Sequence, residues 1–162
     1  MELTEDLVSL PGGEILFARL ATNLLESGEV EEATKICEKG LKKFPTYAQA
    51  HYVLARCYLK KNMADEARSE FERVLRYDPN HLNAIKNLSE IHFANGFQDL
   101  YKEYLVKLYT LDPLNEEIQS EINKLKELGE LSNGDTAFLT ETSAGESTIE
   151  TEMTNKKEDV YS

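Results

Sequence analysis

The stretch that decides the fold is AQAHYVLARCYLKKNMADEARSEFERVLRYDP, residues 48–79, because its order of small and large apolar residues recurs on either side of it. Pro45, Pro79 and Pro113 follow one another at intervals of 34 residues. A fixed period of roughly 20 to 50 residues is typical of stacked supersecondary units, each burying its apolar face against its neighbours. The sequence therefore predicts a repeat protein rather than one closed core.

Each unit has the spacing of two helices joined by a turn. In the first unit, Phe17, Leu20, Ala21 and Leu24 fall on one helical face, and Gly28 ends that helix. A second helix from about Glu31 turns small and apolar residues inward: Ala33, Cys37, Gly40 and Leu41. Small residues let two helices cross at the short end of the usual separation. The unit is thus predicted to be a tightly packed helical hairpin.

The central unit repeats this pattern around a turn at Asn62. Matching residues keep the same 34-residue offset: Ala21 and Ala55, Leu24 and Tyr58, Ala33 and Ala67, Cys37 and Phe71. This arrangement closely resembles the tetratricopeptide repeat family, whose 34-residue helix–turn–helix units stack into a right-handed superhelix. The resemblance covers residues 14–113 in three consecutive copies. It implies an all-α solenoid of three antiparallel helix pairs.

The third unit departs from the pattern in its second helix. Leu88 and Ser89 fit, His92 takes the aromatic position and Gly96 takes the turn, but Tyr101 stands where the family has alanine. Phe97 also lies one residue before the apolar position that opens the second helix in the other units. Two explanations stay open: the second helix is rotated, or the two helices splay to admit Tyr101.

The predicted organisation has six parts. They are an N-terminal segment 1–13, repeats 14–47, 48–81 and 82–115, a capping helix 116–130 and a tail 131–162. Asn115 provides an N-cap for the capping helix, in which Ile118, Ile122, Leu125 and Leu128 recur at helical spacing. The N-terminal segment is either a short docked helix or a frayed end.

The tail differs in composition from the rest of the chain. Residues 131–162 hold ten serines or threonines, seven acidic residues and two lysines. With so few groups to bury, the segment cannot offset the entropy cost of ordering and is predicted to be disordered. A solubilising tail with no defined partner is the simpler explanation of its acids, and a weak pseudo-ligand that folds back onto Arg56, Lys60 and Lys86 or a docking motif for another partner, with Phe138 and Leu139, is the alternative.

Charge and composition narrow the classes of partner. The net charge of −12 argues against nucleic acid and anionic lipid, which need a basic face, and favours proteins or basic peptides. No apolar run approaches the roughly 18 residues of a membrane helix, and acids stand where a signal peptide has basic residues. A cytoplasmic protein without membrane insertion is expected. Cys37 and Cys57 belong to no CxxC pair and are expected to be reduced, packed thiols.

The sequence contains no catalytic constellation that we can identify. It lacks a glycine-rich phosphate loop, a nucleophile elbow and an HExxH pair, and the histidines His51, His81 and His92 stand apart. Carboxylates such as those of residues 66–73 alternate with basic residues, as on solvated helix faces. We therefore expect a non-catalytic protein that needs no metal and no cofactor.

The resemblance implies a concave groove lined by the first helix of each pair. The groove residues expected to bind a peptide are Tyr52, Arg56, Lys60, Asn83, Lys86, Asn87, Glu90 and Phe93, and those in the first unit are Ile15, Ala18, Thr22 and Leu25. A local basic group beside amide side chains suits an acidic peptide, because cations steer the ligand and amides bond its backbone. An adaptor or scaffold that binds a peptide or protein segment is the predicted function.

Two further expectations concern partners. Some members of the family bind chaperone C-termini through a clamp of lysine, asparagine and arginine, but Ala18, Thr22, Val53, Asn83 and Asn87 occupy those positions here. Chaperone-tail docking is therefore not implied. The alternative function is a structural subunit that assembles with itself or with a larger complex through its convex face or the ends of the stack.

Overall fold

The computed structural model describes residues 9–132, 134 and 135. These residues form seven α-helices and no strand, so the predicted all-α class is confirmed. The helices are α1 (Gly13–Glu26), α2 (Val30–Lys43), α3 (Ala48–Lys60), α4 (Ala64–Tyr77), α5 (Leu82–Ala94), α6 (Gln98–Leu111) and α7 (Glu116–Glu127). Contacts divide the chain into two compact units, Met1–Tyr104 and Leu105–Ser162. Among the described residues, none of the helices has both the length and the apolarity needed to cross a bilayer.

The helix boundaries keep the 34-residue period. Helices α2, α4 and α6 begin at residues 30, 64 and 98 and end at residues 43, 77 and 111. Helices α1, α3 and α5 end at residues 26, 60 and 94. The period read from the prolines therefore recurs in these boundaries, and only the start of α1, at residue 13, lies one residue before the position that the starts of α3 and α5 require.

The turn inside each pair is the same left-handed turn. Gly28, Asn62 and Gly96, again 34 residues apart, all have positive φ, at 86°, 59° and 76°. After each of them, the next backbone N–H donates to a carbonyl five residues earlier, as in Glu29 to Leu24 and Met63 to Tyr58. Asparagine tolerates this conformation better than other residues with a side chain. Asn62 is thus the substitute for glycine that the turn permits.

Two clusters of buried side chains stabilise the compact unit Met1–Tyr104. The first joins α1, α2 and α3 through residues that include Phe17, Ala21, Cys37 and Leu54. The second joins α3, α4 and α5 through residues that include Ala55, Phe71 and Leu88. Helix α3 contributes to both clusters. The central repeat is therefore the element through which the two cores are connected.

The small residues allow the close packing that their spacing predicts. Gly40 lies inside α2 with its Cα facing the ring of Phe17, so that a methyl group at this position would overlap the ring. Phe17 has no exposed surface and also stacks on Phe44, with ring centroids 6.0 Å apart. The absence of a side chain at Gly40 is what admits a phenyl ring between α1 and α2.

In the third repeat, α6 begins at the residue that the period requires, although its packing differs. Two aromatic pairs show that α5 and the first part of α6 run antiparallel: Phe93 with Tyr101 at 5.0 Å and His92 with Tyr104 at 5.4 Å. Tyr101 is half-buried, whereas Ala33 and Ala67 at the equivalent positions have no exposed surface. The tyrosine is accommodated by an aromatic contact with α5.

Helix α7 has the predicted cap. The Asn115 side-chain oxygen accepts hydrogen bonds from the backbone N–H groups of Glu117 and Ile118, at 3.1 and 3.3 Å. Ile122 and Leu125 are buried, but Leu128 is 70% exposed, so its place on the apolar face was predicted wrongly. Leu128 follows the last helical residue, where the helical period no longer directs a side chain inward.

Several predictions fall on residues outside the described part of the chain. They are the choice between a docked helix and a frayed end over residues 1–8, and the disorder and pseudo-ligand role of the tail beyond residue 135. The six-part division of the chain stays a prediction.

Candidate functional site

One stripe of the predicted groove lies on α3. Tyr52, Arg56 and Lys60 recur every four residues and therefore share one face of the helix. The Arg56 guanidinium lies over the Tyr52 ring, 5.9 Å from its centroid, within the range of a cation–π contact. Arg56 is half-buried and Lys60 is exposed. This face thus presents two positive charges, one of them held against an aromatic ring.

Tyr52 is also part of the packing between helices. Its ring lies 5.9 Å from that of Phe71 and 4.7 Å from that of His81. His81 in turn caps α5, since its Nδ1 accepts the backbone N–H of Ala84 at 3.2 Å. The tyrosine therefore ties the stripe on α3 to the start of α5.

The second stripe lies on α5 and contains the other predicted groove residues. They are Asn83, Lys86, Asn87, Glu90 and Phe93, which fall within one side of the helix. Asn87 is half-buried and its Nδ2 donates to the Asn83 carbonyl at 2.6 Å. Phe93 is 56% exposed and contacts Tyr101. The stripe is polar over its first two turns and aromatic at its end.

The first unit contributes less apolar surface than the sequence predicts. Ala18 and Leu25 are 2% and 4% exposed and belong to the core between α1, α2 and α3. The Thr22 hydroxyl donates to the Ala18 carbonyl at 2.8 Å, and Val53 on α3 is fully buried. The prediction of these residues as groove lining was wrong for Ala18 and Leu25, because α3 packs across that face of α1. Ile15, at 58% exposure, remains accessible.

Sequence reasoning missed Arg19. This residue is exposed on α1, one turn after Ile15, and precedes Val53 by 34 and Asn87 by 68 residues. Its equivalent on α5, Asn87, lies on the groove stripe, whereas its equivalent on α3, Val53, is fully buried. Arg19 is therefore an exposed cation at the position of Asn87 in the first repeat.

A buried polar pair lies on another face of α3. His51 Nδ1 is 2.6 Å from Glu70 Oε2, and His51 Nε2 is 2.8 Å from the carbonyl oxygen of Pro45. Arg73 Nη1 donates to the other carboxylate oxygen, Glu70 Oε1, at 3.0 Å. The His51 and Glu70 side chains are only 5% and 9% exposed. The pair joins α3, α4 and the loop that precedes α3.

The prediction that the carboxylates of residues 66–73 are solvated is therefore wrong for Glu70. A signal was present in the sequence, because Ala67, Glu70, Phe71 and Val74 follow the spacing of a buried helical stripe. The rest of the prediction holds in part: Arg68 is 3.4 Å from Asp65 and 3.9 Å from Glu72. Charge alternation alone does not reveal which carboxylate a neighbouring helix covers.

The His51–Glu70 pair has no free ring nitrogen to offer a substrate. Both ring nitrogens are engaged, one by the Glu70 carboxyl group and the other by the Pro45 carbonyl oxygen. Arg73 engages the second carboxyl oxygen of Glu70. A general base needs an unoccupied acceptor within reach of the proton it removes. The pair is thus a structural ion pair with no site for proton abstraction.

The remaining buried reactive groups are packed. Cys37 and Cys57 are buried free thiols, as predicted. Burial raises the pKa of both thiols, and the proximity of Cys57 adds to the effect on Cys37. A raised pKa keeps a thiol protonated and poorly nucleophilic. The described residues contain no cluster of three or more histidines, cysteines or carboxylates able to hold a metal ion.

His92 is the second buried histidine among the described residues. Its ring stacks on Tyr104, and its Nδ1 is buried without a hydrogen-bond partner among the described residues. Burial lowers the pKa of His92 below its usual 6.5, and the charge of Arg68 acts in the same direction. The neutral ring is therefore the form that this site accommodates.

Comparison with solved structures returns helical repeat proteins. The first TPR domain of Spaghetti (RPAP3), bound to an HSP90 peptide, is 17% identical at a TM-score of 0.62, over 71% of this chain and 94% of that one. YrrB, a TPR protein with an unusual peptide-binding site, is 23% identical at 0.58, over 69% and 57%. The Yersinia enterocolitica secretion chaperone SycD, in complex with a YopD peptide, is 13% identical at 0.60, over 83% and 97%. At these identities, the likeness concerns the fold.

No curated protein matches the sequence. A family model described as the tetratricopeptide repeat matches residues 24–90. That segment extends from the end of α1 to α5 and includes the whole central hairpin. The match and the 34-residue period of the helix boundaries and turns identify residues 24–90 as a segment of tetratricopeptide repeats.

Proposed function

We propose that this protein is a non-catalytic interaction module that binds an acidic peptide or protein segment along the stripes on α3 and α5. The observation that carries the proposal is the Arg56 guanidinium held over Tyr52, with Lys60 exposed one turn further along the same face. An arginine oriented by an aromatic ring keeps donors available for a carboxylate, and less side-chain entropy is lost when it binds. Lys86 on α5 adds a further positive charge.

The amides next to the cations suit an extended backbone. Asn83 is exposed and Asn87 half-buried, so that at least one amide is accessible beside Lys86. Side-chain amides can pair with both the N–H and the C=O of a peptide, which gives affinity that depends little on sequence. The net charge of −12 repels an acidic ligand from the rest of the surface, so the local basic face is where such a ligand is attracted.

The comparisons support the class of partner. The RPAP3 domain and SycD are described in complex with peptides, and YrrB has a peptide-binding site. The same fold in this chain, with an accessible polar stripe, supports peptide or protein binding as its role. The chaperone clamp does not enter the proposal, because Ala18 is buried and Asn83 and Asn87 carry no charge.

Selection from a random-peptide phage library tests the proposal. We expect the full chain to enrich peptides with two or more acidic residues. The double charge reversal Arg56→Glu and Lys86→Glu should lower the affinity for these peptides at least about tenfold. The matched control is Lys35→Glu with Lys42→Glu on α2, which gives the same net charge away from the stripes. If both double variants lose the same affinity, or if the selected peptides contain no acidic residues, the proposed binding along the stripes is refuted.

An alternative function is assembly with a second copy or a larger complex. The observation in its favour is a set of exposed apolar side chains around the α5–α6 turn: Phe93, Phe97 and Leu100, at 56%, 49% and 40%. Exposed aromatic groups of this kind are typical of protein–protein contacts. Sedimentation equilibrium distinguishes self-association from peptide binding by a monomer. Self-association predicts an apparent mass that rises with protein concentration, and the double variant Phe93→Ser with Phe97→Ser should return it to the monomer mass. A constant monomer mass speaks against self-assembly.

A further inference from the structure

The repeats of this chain differ at two buried positions, and the difference points to a second site. Counting by 34 residues, the positions of His51 and Glu70 are occupied by Phe17 and Ile36 in the first repeat and by Ile85 and Tyr104 in the third. The central repeat alone has polar side chains at both positions. A buried ion pair rarely stabilises a protein more than the apolar residues that would replace it. Packing within the repeat therefore does not account for the pair.

The pair forms the floor of a pocket between α2, α3 and α4. The pocket has a volume of about 500 Å³ and is lined by Glu38, Leu41, Pro45, His51, Leu54, Tyr58, Glu70, Arg73, Arg76 and Tyr77. Sites that enclose a small molecule or a large side chain commonly measure roughly 300 to 1,000 Å³. The volume is thus sufficient for one bulky apolar side chain together with an adjoining polar group.

The walls of the pocket are mainly apolar and aromatic. Leu41, Leu54 and Tyr58 are half-buried or buried, and Tyr77, at 40% exposure, stacks on His51 with ring centroids 5.7 Å apart. A small inorganic anion would bury little of this apolar surface, which would stay exposed to water. They favour a ligand that buries an apolar side chain against them.

The charges in the pocket are paired, with one exception. Glu70 is engaged by His51 and Arg73, and Tyr58 is hydrogen-bonded to Glu38. Within the part of the chain that the structure describes, Arg76 makes no hydrogen bond or ion pair. Arg73 and Arg76 stand three residues apart on α4, and Arg73 uses one of its five N–H donors on Glu70. The rim therefore has spare guanidinium donors suited to a carboxylate.

The pocket is separate from the groove stripe on the same helix. At about 100° per residue, Arg56 and Lys60 lie roughly 140° and 180° around α3 from His51. A ligand bound above His51 thus contacts the opposite side of α3 from one bound along Tyr52, Arg56 and Lys60. The pocket and the groove share no lining residue, so a binding result at one does not decide the other.

From these observations we infer that the pocket is a second peptide site, which takes one bulky apolar side chain followed by a carboxylate. The side chain fills the space between Leu41, Leu54, Tyr58 and Tyr77, and the carboxylate binds Arg76 with help from Arg73. The buried His51–Glu70 pair holds Arg73 and the loop at Pro45 in place and so shapes the floor. The partner is a protein segment with an apolar residue beside an acidic one.

A minimal probe tests this chemistry directly. N-acetyl-phenylalanine offers a phenyl ring and a free carboxylate, and its amide offers the ring alone. We expect NMR titration of the full chain to show a dissociation constant on the order of 1 mM for the acid, with shifts at His51, Leu54 and Tyr77. The amide should bind at least about tenfold more weakly, since it lacks the charge that Arg76 binds.

Two single-charge variants locate the site. Arg76→Gln, at an exposed position, should lower the affinity for N-acetyl-phenylalanine about tenfold, while the NMR spectrum of the variant remains that of a folded protein. Arg56→Gln, on the groove stripe, should leave this affinity unchanged. The inference is overturned if the acid causes no shifts at the pocket, if acid and amide bind alike, or if Arg56→Gln weakens binding as much as Arg76→Gln. None of these results depends on whether the groove binds peptides.

Discussion

At the residue scale, Gly40 shows how one missing side chain shapes a helix pair. Alanine has a higher helix propensity than glycine by about 1 kcal/mol, so Gly40→Ala would stabilise an isolated helix. In the folded chain, the added methyl group overlaps the buried ring of Phe17. The clash has to be relieved by shifting α1 or α2, and packing outweighs propensity.

We expect Gly40→Ala to lower the free energy of unfolding by about 1–3 kcal/mol, as measured by urea denaturation. The control is the same substitution in a Phe17→Leu background, where the smaller side chain leaves room for the methyl group. There the cost of Gly40→Ala should shrink or change sign. Equal costs in both backgrounds would show that the ring is not the cause.

His92 is the residue whose stability contribution depends on pH. Its pKa is lowered from 6.5 in the folded protein, mainly by burial and also by Arg68, while Glu72 and Glu103 oppose the change. Below pH 6.5, the unfolded chain binds a proton that the folded chain does not, and protonation therefore favours unfolding. The contribution of His92 to stability falls as the pH drops from 6.5 towards the folded pKa.

The variant His92→Tyr isolates this effect, because the equivalent position in the second repeat is Tyr58. Urea midpoints of the wild type and the variant should differ more at pH 5.5 than at pH 7.5, with the variant the more stable at the acidic pH. Other titrating groups contribute to both proteins and cancel in the difference. A difference that is independent of pH would contradict the assignment.

At the scale of elements, the His51–Glu70 pair is the polar connection between α3, α4 and the preceding loop. Removing one partner leaves the other buried without its counter-charge, which typically costs about 3–5 kcal/mol. The chain itself provides the apolar replacement, since Phe17 and Ile36 occupy the same positions in the first repeat. The single and double exchanges should therefore behave very differently.

We expect His51→Phe and Glu70→Ile to destabilise strongly as single variants, and the double variant to recover most of the loss. A double-mutant cycle by urea denaturation should give a coupling of about 2 kcal/mol or more. Additive costs would mean that the two side chains do not act as a pair. Recovery of stability together with loss of N-acetyl-phenylalanine binding would link the pair to the pocket rather than to the fold.

At the scale of the whole molecule, the two thiols report on opening of the core. Cys37 and Cys57 both belong to the cluster that joins α1, α2 and α3, and both are fully buried. Their raised pKa values reduce the thiolate fraction further. A thiol reagent therefore has to wait for the helices to separate.

We expect native protein to react with dithionitrobenzoate about a thousandfold or more slowly than protein unfolded in urea. Cys37→Ala and Cys57→Ala variants allow each thiol to be followed alone, and the two rates should agree after correction for each variant's stability. Rapid labelling of one thiol in native protein would show that its helix opens locally.

The sequence by itself determined the elements of this protein. The prolines, the turn residues Gly28, Asn62 and Gly96, and the spacing of small residues are local features with a fixed period. Backbone conformation depends on such neighbouring residues, so the 34-residue helix pairs and the all-α class followed from them. The candidate stripe on α3 followed as well, because helical spacing defines which residues share a face.

Only the tertiary structure decided which of those faces are covered. Helical spacing gives the angle of Glu70 or Ala18 on its own helix but says nothing of the helix that packs across it. Glu70 lies at the floor of a pocket because it contacts His51 and Arg73 there. Ala18 does not line the groove because α3 packs over it. Burial arises from contacts between distant segments, and charge pattern along one helix does not encode them.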